Sequence, residues 1–87
     1  MHERALMDDV LRKVLSVADE NGAVRVSRVS VRLGALSHFT PEHFREHFED
    51  AARATPAEGA AVEAVVDGDL ESPGATGVLI ESVEVEG

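Results

Sequence analysis

The sequence has no cysteine. That absence removes disulfides, thiolate metal sites and cysteine nucleophiles together, and it leaves histidine, carboxylates and the backbone as the available metal ligands. It also leaves the redox compartment unreadable from cysteine usage. Positive charge is scarce: 8 Lys and Arg stand against 17 Asp and Glu, a formal net charge of −9. Such a surface repels phosphate backbones and anionic lipids, so nucleic acid and membrane are poor partners and cations or basic protein surfaces are better ones. Long apolar runs are missing too. The opening Met-His-Glu-Arg-Ala-Leu-Met-Asp-Asp has neither the basic start nor the apolar core of a signal peptide, and no later stretch approaches a membrane span. The expectation is a cytoplasmic protein.

Recognisable catalytic settings are absent as well. Ser27, Ser30, Ser37 and Ser82 stand in no nucleophile elbow or triad context, and Gly34 is a lone glycine after a strand rather than part of a phosphate loop. With 87 residues, the chain reads as one domain, residues 1–87, of a size that buries only about 60–65% of its unfolded surface. A deep, enclosed active site is not expected, and the chain is not read as an enzyme.

What is present is strongly patterned. Leu6, Val10, Leu11, Val14, Leu15 and Ala18 recur at three- and four-residue spacing, one stripe of an α-helix. Asp8 with Arg12 and Asp9 with Lys13 are acid-before-base pairs four residues apart, and Asn21-Gly22 is a helix stop. Residues 23–36 are rich in Val and read as a strand whose apolar set changes phase from Val24 and Val26 to Val29, Val31 and Leu33, which a bulge near Ser27-Arg28 reconciles. A second helix is marked by Thr40 as N-cap, Pro41 at the first helical position, Glu42 in the first turn and Phe39 placed to staple against Phe44. Its buried side is Phe44, Phe48, Ala51 and Ala52, and Thr55-Pro56 ends it. Two short strands, residues 60–66 and 78–85, flank an aperiodic loop over residues 67–77. The order helix-strand-helix-strand-strand predicts an α+β fold in which two helices pack on one face of a three-stranded sheet. Strand order stays open.

Of the four histidines, His2 stands apart. With the Met1 amine retained, the first three residues offer the amine nitrogen, the His2 amide nitrogen and the His2 imidazole in one plane, with Glu3 or a partner's side chain completing four. Tetragonal, nitrogen-rich sets of this kind suit Ni(II) or Cu(II). A frayed, solvated terminus is the ordinary alternative. His43 and His47 are four residues apart on the second helix, with His38 just before it, and could bind a divalent ion. Their neighbours Arg45, Glu46 and Glu49 favour a solvated helix edge. Glu81, Glu84 and Glu86 are read as the solvent face of the last strand.

Several segments resemble the HypA/HybF family of nickel accessory proteins for hydrogenase maturation. They are the opening Met-His-Glu with its amphipathic helix, Val31-Arg32-Leu33-Gly34-Ala35-Leu36-Ser37, the helix from Pro41-Glu42-His43-Phe44 through Phe48-Glu49, Thr55-Pro56-Ala57-Glu58-Gly59-Ala60, and the closing strand with Val78, Ile80, Val83 and Val85. The resemblance implies a nickel carrier in which Met1, His2 and Glu3 supply the metal ligands. It implies delivery with a nickel-handling GTPase to the large subunit of [NiFe]-hydrogenase. Family members also hold zinc on paired Cys-x-x-Cys ligands between the last two strands. Here only the loop 67–77 stands there, so no structural zinc is expected. Two other readings remain: a metal-independent interaction or dimerisation module built on the same platform, with an open sheet edge that leaves room for a homodimer, and a small metal-dependent hydrolase using His38, His43 and His47.

Overall fold

The computed structural model describes residues 2–35, 39–68 and 77–87, with side chains from Ala5 onward. Helix α1 spans His2–Glu20, strand β1 Arg25–Leu33, helix α2 Pro41–Ala51, strand β2 Ala61–Val66 and strand β3 Val78–Glu86. The element order and the α+β class agree with the sequence pattern.

The stripe on α1 centres on Met7, Val10, Val14 and Ala18, each 3% exposed or less, with Leu6, Leu11 and Leu15 packed at its margins. Met7 thus belongs to a buried face that the leucine spacing alone does not mark. The helix stops as the Asn21-Gly22 pair predicts. Gly22 takes a left-handed φ of 62°, its amide donates to the Asp19 carbonyl at 3.0 Å, and the Ala23 amide donates to Ala18 at 2.9 Å. These two bonds form a Schellman closure, which satisfies carbonyls the helix would otherwise leave open. Asp9 takes both neighbouring cations, Lys13 at 3.1 Å and Arg12 at 3.9 Å, so Arg12 turns to Asp9 rather than to the expected Asp8.

Helix α2 is specified at its start by local chemistry. Thr40, in extended conformation, accepts from the His43 amide at 3.1 Å, Pro41 follows, and the Phe39 and Phe44 rings meet edge to face at 5.7 Å. The helix ends at Ala51, a turn earlier than Thr55-Pro56. Ala54 adopts a φ of 61° and the Thr55 hydroxyl donates to the Ala52 carbonyl at 2.6 Å, so the chain unwinds before proline forbids the helical bond. The Val26 amide then donates to the Pro56 carbonyl at 2.9 Å, tying this turn to the start of β1.

The sheet order is β2-β1-β3, with β1 parallel to β2 and antiparallel to β3. Parallel neighbours need a long crossover, and α2 supplies it between β1 and β2. On the inner face Val29 lies between Val62 and Val83, Val31 between Ala64 and Ile80, and Leu33 between Val66 and Val78. Helix α1 covers β1 and β3, and α2 covers β2. Two register shifts punctuate the β1–β3 pairing. The first makes Ser27 the extra residue on β1, confirming the bulge that the phase change predicts. The second makes Glu81 the extra residue on β3 and restores the register. The strand is shorter than the valine-rich stretch: Val24 precedes it and is 71% exposed. Val66, at the end of β2, is likewise 46% exposed, because the covering helix does not reach the last residue of the alternation.

Two substitutions test this account by urea denaturation. Phe44, wholly buried, should cost about 3–5 kcal/mol as Phe44→Ala. Gly22→Ala meets no atom within 4 Å, so its cost should be conformational only, about 1–2 kcal/mol for the left-handed backbone.

Candidate metal centre

Helix α1 begins at His2, so the backbone of His2 and Glu3 lies in its first turn. Met1 lies outside the described residues, as do the side chains of His2 and Glu3 and the whole of His38. The backbone placement still carries information. The first four amides of an α-helix have no carbonyl one turn back to receive them, so the His2 and Glu3 amides are free of intrahelical bonds. An amide nitrogen can enter a chelate here without breaking the helical ladder. The positive end of the helix dipole opposes a cation at this position. A deprotonated amide brings its own negative charge and offsets that field.

The buried side chains elsewhere are wholly hydrophobic among the described residues, so polar chemistry is confined to the surface. His43 and His47 project from α2 into an open depression of about 450 Å³, which Glu46, Glu49, Asp50 and Arg53 also line. Their spacing is the one the sequence shows, but the fold turns the two rings toward each other, Nε2 to Nε2 at 2.7 Å. The Phe39 ring stands edge-on to His43 at 6.2 Å.

The outer face of the sheet carries charges that sequence spacing did not pair. Arg32 donates to Glu81 at 3.0 Å, Arg28 pairs with Glu63, and Arg25 reaches Glu86 at 3.4 Å. Ser30 donates to the same Glu63 at 3.3 Å. Glu81 and Glu86 are therefore on the solvent face, as expected, but already engaged by β1 arginines. Arg25, Arg28 and Arg32 appear as one outward set only when the extra residue at Ser27 is counted. Each bulge also has a use: the Ser27 hydroxyl donates to the Glu84 carbonyl at 3.1 Å, and the extra residue of β3 is the one that meets Arg32.

Comparison with known proteins places this arrangement. A family model described as "Hydrogenase/urease nickel incorporation, metallochaperone, hypA" matches residues 1–68. The chain belongs to the HypA family. Among its relatives, hydrogenase maturation factor HypA of Methanopyrus kandleri is 40% identical over 67 residues, which cover 77% of this chain and 47% of that protein. Hydrogenase maturation factor HypA 2 of Bradyrhizobium diazoefficiens is 36% identical over 86 residues, covering 99% of this chain and 72% of its own length. The chain thus spans about half the length of the first of these relatives. The solution structure of the Ni metallochaperone HypA from Helicobacter pylori superposes with a TM-score of 0.76 at 15% identity, covering 97% of each chain. At that identity the likeness is one of fold: two helices on a three-stranded mixed sheet are the HypA architecture.

The outer-face pairs should contribute little to stability, being partly solvated. A double-mutant cycle on Arg32 and Glu81 is expected to return a coupling of about 0.2–1 kcal/mol that shrinks as salt is added.

Proposed function

We propose that this chain is a cytoplasmic nickel carrier, a single metal-binding domain whose cargo is Ni(II) held at Met1, His2 and Glu3. The observation that carries the reading is the family match, which runs from residue 1 to residue 68 and so includes the terminal Met-His-Glu. The donor set fits the ion: an amine, an amide freed by its place at a helix start, and an imidazole are nitrogen ligands of the kind Ni(II) takes in tetragonal geometry. Glu3 supplies a carboxylate within the same turn. A site on a chain end is easily opened to incoming ligands, and a carrier must let a recipient's ligands replace its own.

The destination in this reading is a [NiFe]-hydrogenase large subunit, reached with a nickel-handling GTPase. The family description names nickel incorporation into hydrogenase or urease, which supports the class of recipient. The platform offers partners two kinds of surface. Strands β2 and β3 are the outer strands of the sheet, each with an edge on which a second chain, including another copy, could pair. The outer face also exposes Val65 and Leu79 in one row with Arg32.

A nickel titration followed by calorimetry and absorbance tests the terminal site on three proteins: the native chain, His2→Ala, and a version with Gly-Ser added ahead of Met1. Loss of the nitrogen-rich spectrum and its binding step in both altered proteins is the expected result. Equal binding by all three would remove Met1, His2 and Glu3 from the reading. Acid should weaken the native site, because the amine and imidazole, with reference pKa values of about 7.7–8.0 and 6.5, must lose protons to bind metal.

A further inference from the structure

Helix α2 brings two imidazoles together in a way that the family function does not use. His43 and His47 are both exposed, and their Nε2 atoms are 2.7 Å apart with ring centroids at 4.4 Å and a 41° tilt between the planes. Without an ion, one ring can donate its Nε2 proton to the other. The same separation has a second meaning. Two nitrogens held about 2.0–2.1 Å from one ion lie about 2.9 Å apart when they subtend a right angle and about 3.3 Å apart at the tetrahedral angle. The observed 2.7 Å is shorter than either and nearer the right-angle value, so a small rotation of the two exposed rings brings both nitrogens to neighbouring positions of a tetragonal or octahedral ion, the geometry that Ni(II) and Cu(II) take.

The surroundings favour a cation. Glu46, Glu49 and Asp50 line the same depression against a single cation, Arg53, which is itself drawn to Asp50 at 3.5 Å. Glu46, three residues beyond His43, has no hydrogen bond or ion pair among the described residues, leaving its carboxylate available to a water bound on the ion. The helix is rigid where it matters: Phe44 and Phe48, the residues that follow each histidine, are buried in the core, so the two Cα positions are fixed by packing rather than by the ligand. Prepaid backbone order of this kind is what makes a two-ligand site bind at all. Among the described residues no group of three or more His, Cys, Asp or Glu side chains is arranged around one point. The site is therefore bidentate, with water in the remaining positions.

We propose that His43 and His47 form a second, exchangeable site for divalent nickel on the exposed face of α2, independent of the terminal residues. Each ring binds through Nε2 and keeps its proton on Nδ1. With most positions filled by water, the site would take up and release ions readily, holding a weakly bound metal beside whatever the chain end carries.

The test is a titration with Ni(II) alone and Zn(II) alone, read by calorimetry and by NMR of the imidazole ring protons, on four proteins: native, His2→Ala, His43→Ala/His47→Ala, and the triple variant. Because both rings are exposed, the alanine variants should keep the native circular dichroism, which also confirms that they fold. The expected result is that His2→Ala still binds one Ni(II), with nickel-induced changes confined to the rings of His43 and His47, and that the triple variant, which has lost both ligands, shows no such binding step. Nickel should outbind zinc at this site. If His2→Ala and the triple variant bind alike, or neither binds, the second site is overturned. The terminal reading is scored separately, by whether His43→Ala/His47→Ala keeps a nickel step that the triple variant loses.

Discussion

Burial of the inner face of β1 is the interaction on which the rest of the structure depends. Val26, Val29, Val31 and Leu33 are each no more than 1% exposed. Among the described residues no other strand is so fully covered. Being central, β1 has its backbone satisfied on both sides and its inner face roofed by α1, so it contributes apolar burial along its whole length. The edge strands contribute only where a helix reaches them: Val62 is buried on β2, while the inner residues of β3 remain half-buried. Phe44 and Phe48 then fill the space between α2 and the sheet, with ring centroids 6.2 Å apart. A small domain has little core, and concentrating it beneath one strand leaves the outer edges of β2 and β3 without a strand partner among the described residues.

The two register shifts follow from the same constraint. The inner face must receive Val26 and then Val29, an odd step that straight pleating would send to opposite sides. Making Ser27 an extra residue keeps both valines inward and brings Arg25 onto the same outward face as Arg28 and Arg32. The compensating shift at Glu81 restores the pairing needed to place Ile80 and Val78 beside Val31 and Leu33. An irregularity forced by the core thus arranges the charged ladder on the opposite face.

The ends of the segment 67–77 are held by β1 as well. The Asp67 amide donates to the Leu33 carbonyl at 2.8 Å, and the Gly34 amide donates to the Gly77 carbonyl at 2.8 Å. Val66 and Val78 both lie opposite Leu33, one on each side, so the segment bridges two strand spacings of about 4.8 Å each. Chain of any length can leave and return at such anchored points without altering the register of the sheet.

Both helices, the stop of α1 at Asn21-Gly22, the start of α2 at Thr40-Pro41 and the bulge at Ser27 were legible in the sequence by itself, because each depends on residues within a turn or two of one another, whereas most of the loop read over residues 67–77 lies outside the described residues. Thr40, Pro41 and Phe39 specify a helix start wherever they occur, and Gly22 stops a helix by its own backbone freedom. Of the proposed terminal site the sequence by itself carries the order Met-His-Glu, while Met1 and the side chains of His2 and Glu3 lie outside the described residues. The exposure of Val24 and Val66 was not legible, since alternation does not say where the covering helices end. Nor were the strand order, the pairing of Arg28 with Glu63 and Arg32 with Glu81, or the convergence of His43 and His47. Tertiary structure decided these, because strand order and the arginine pairs join residues 33 or more positions apart in the chain, and the meeting of two exposed rings on one helix face depends on their rotamers.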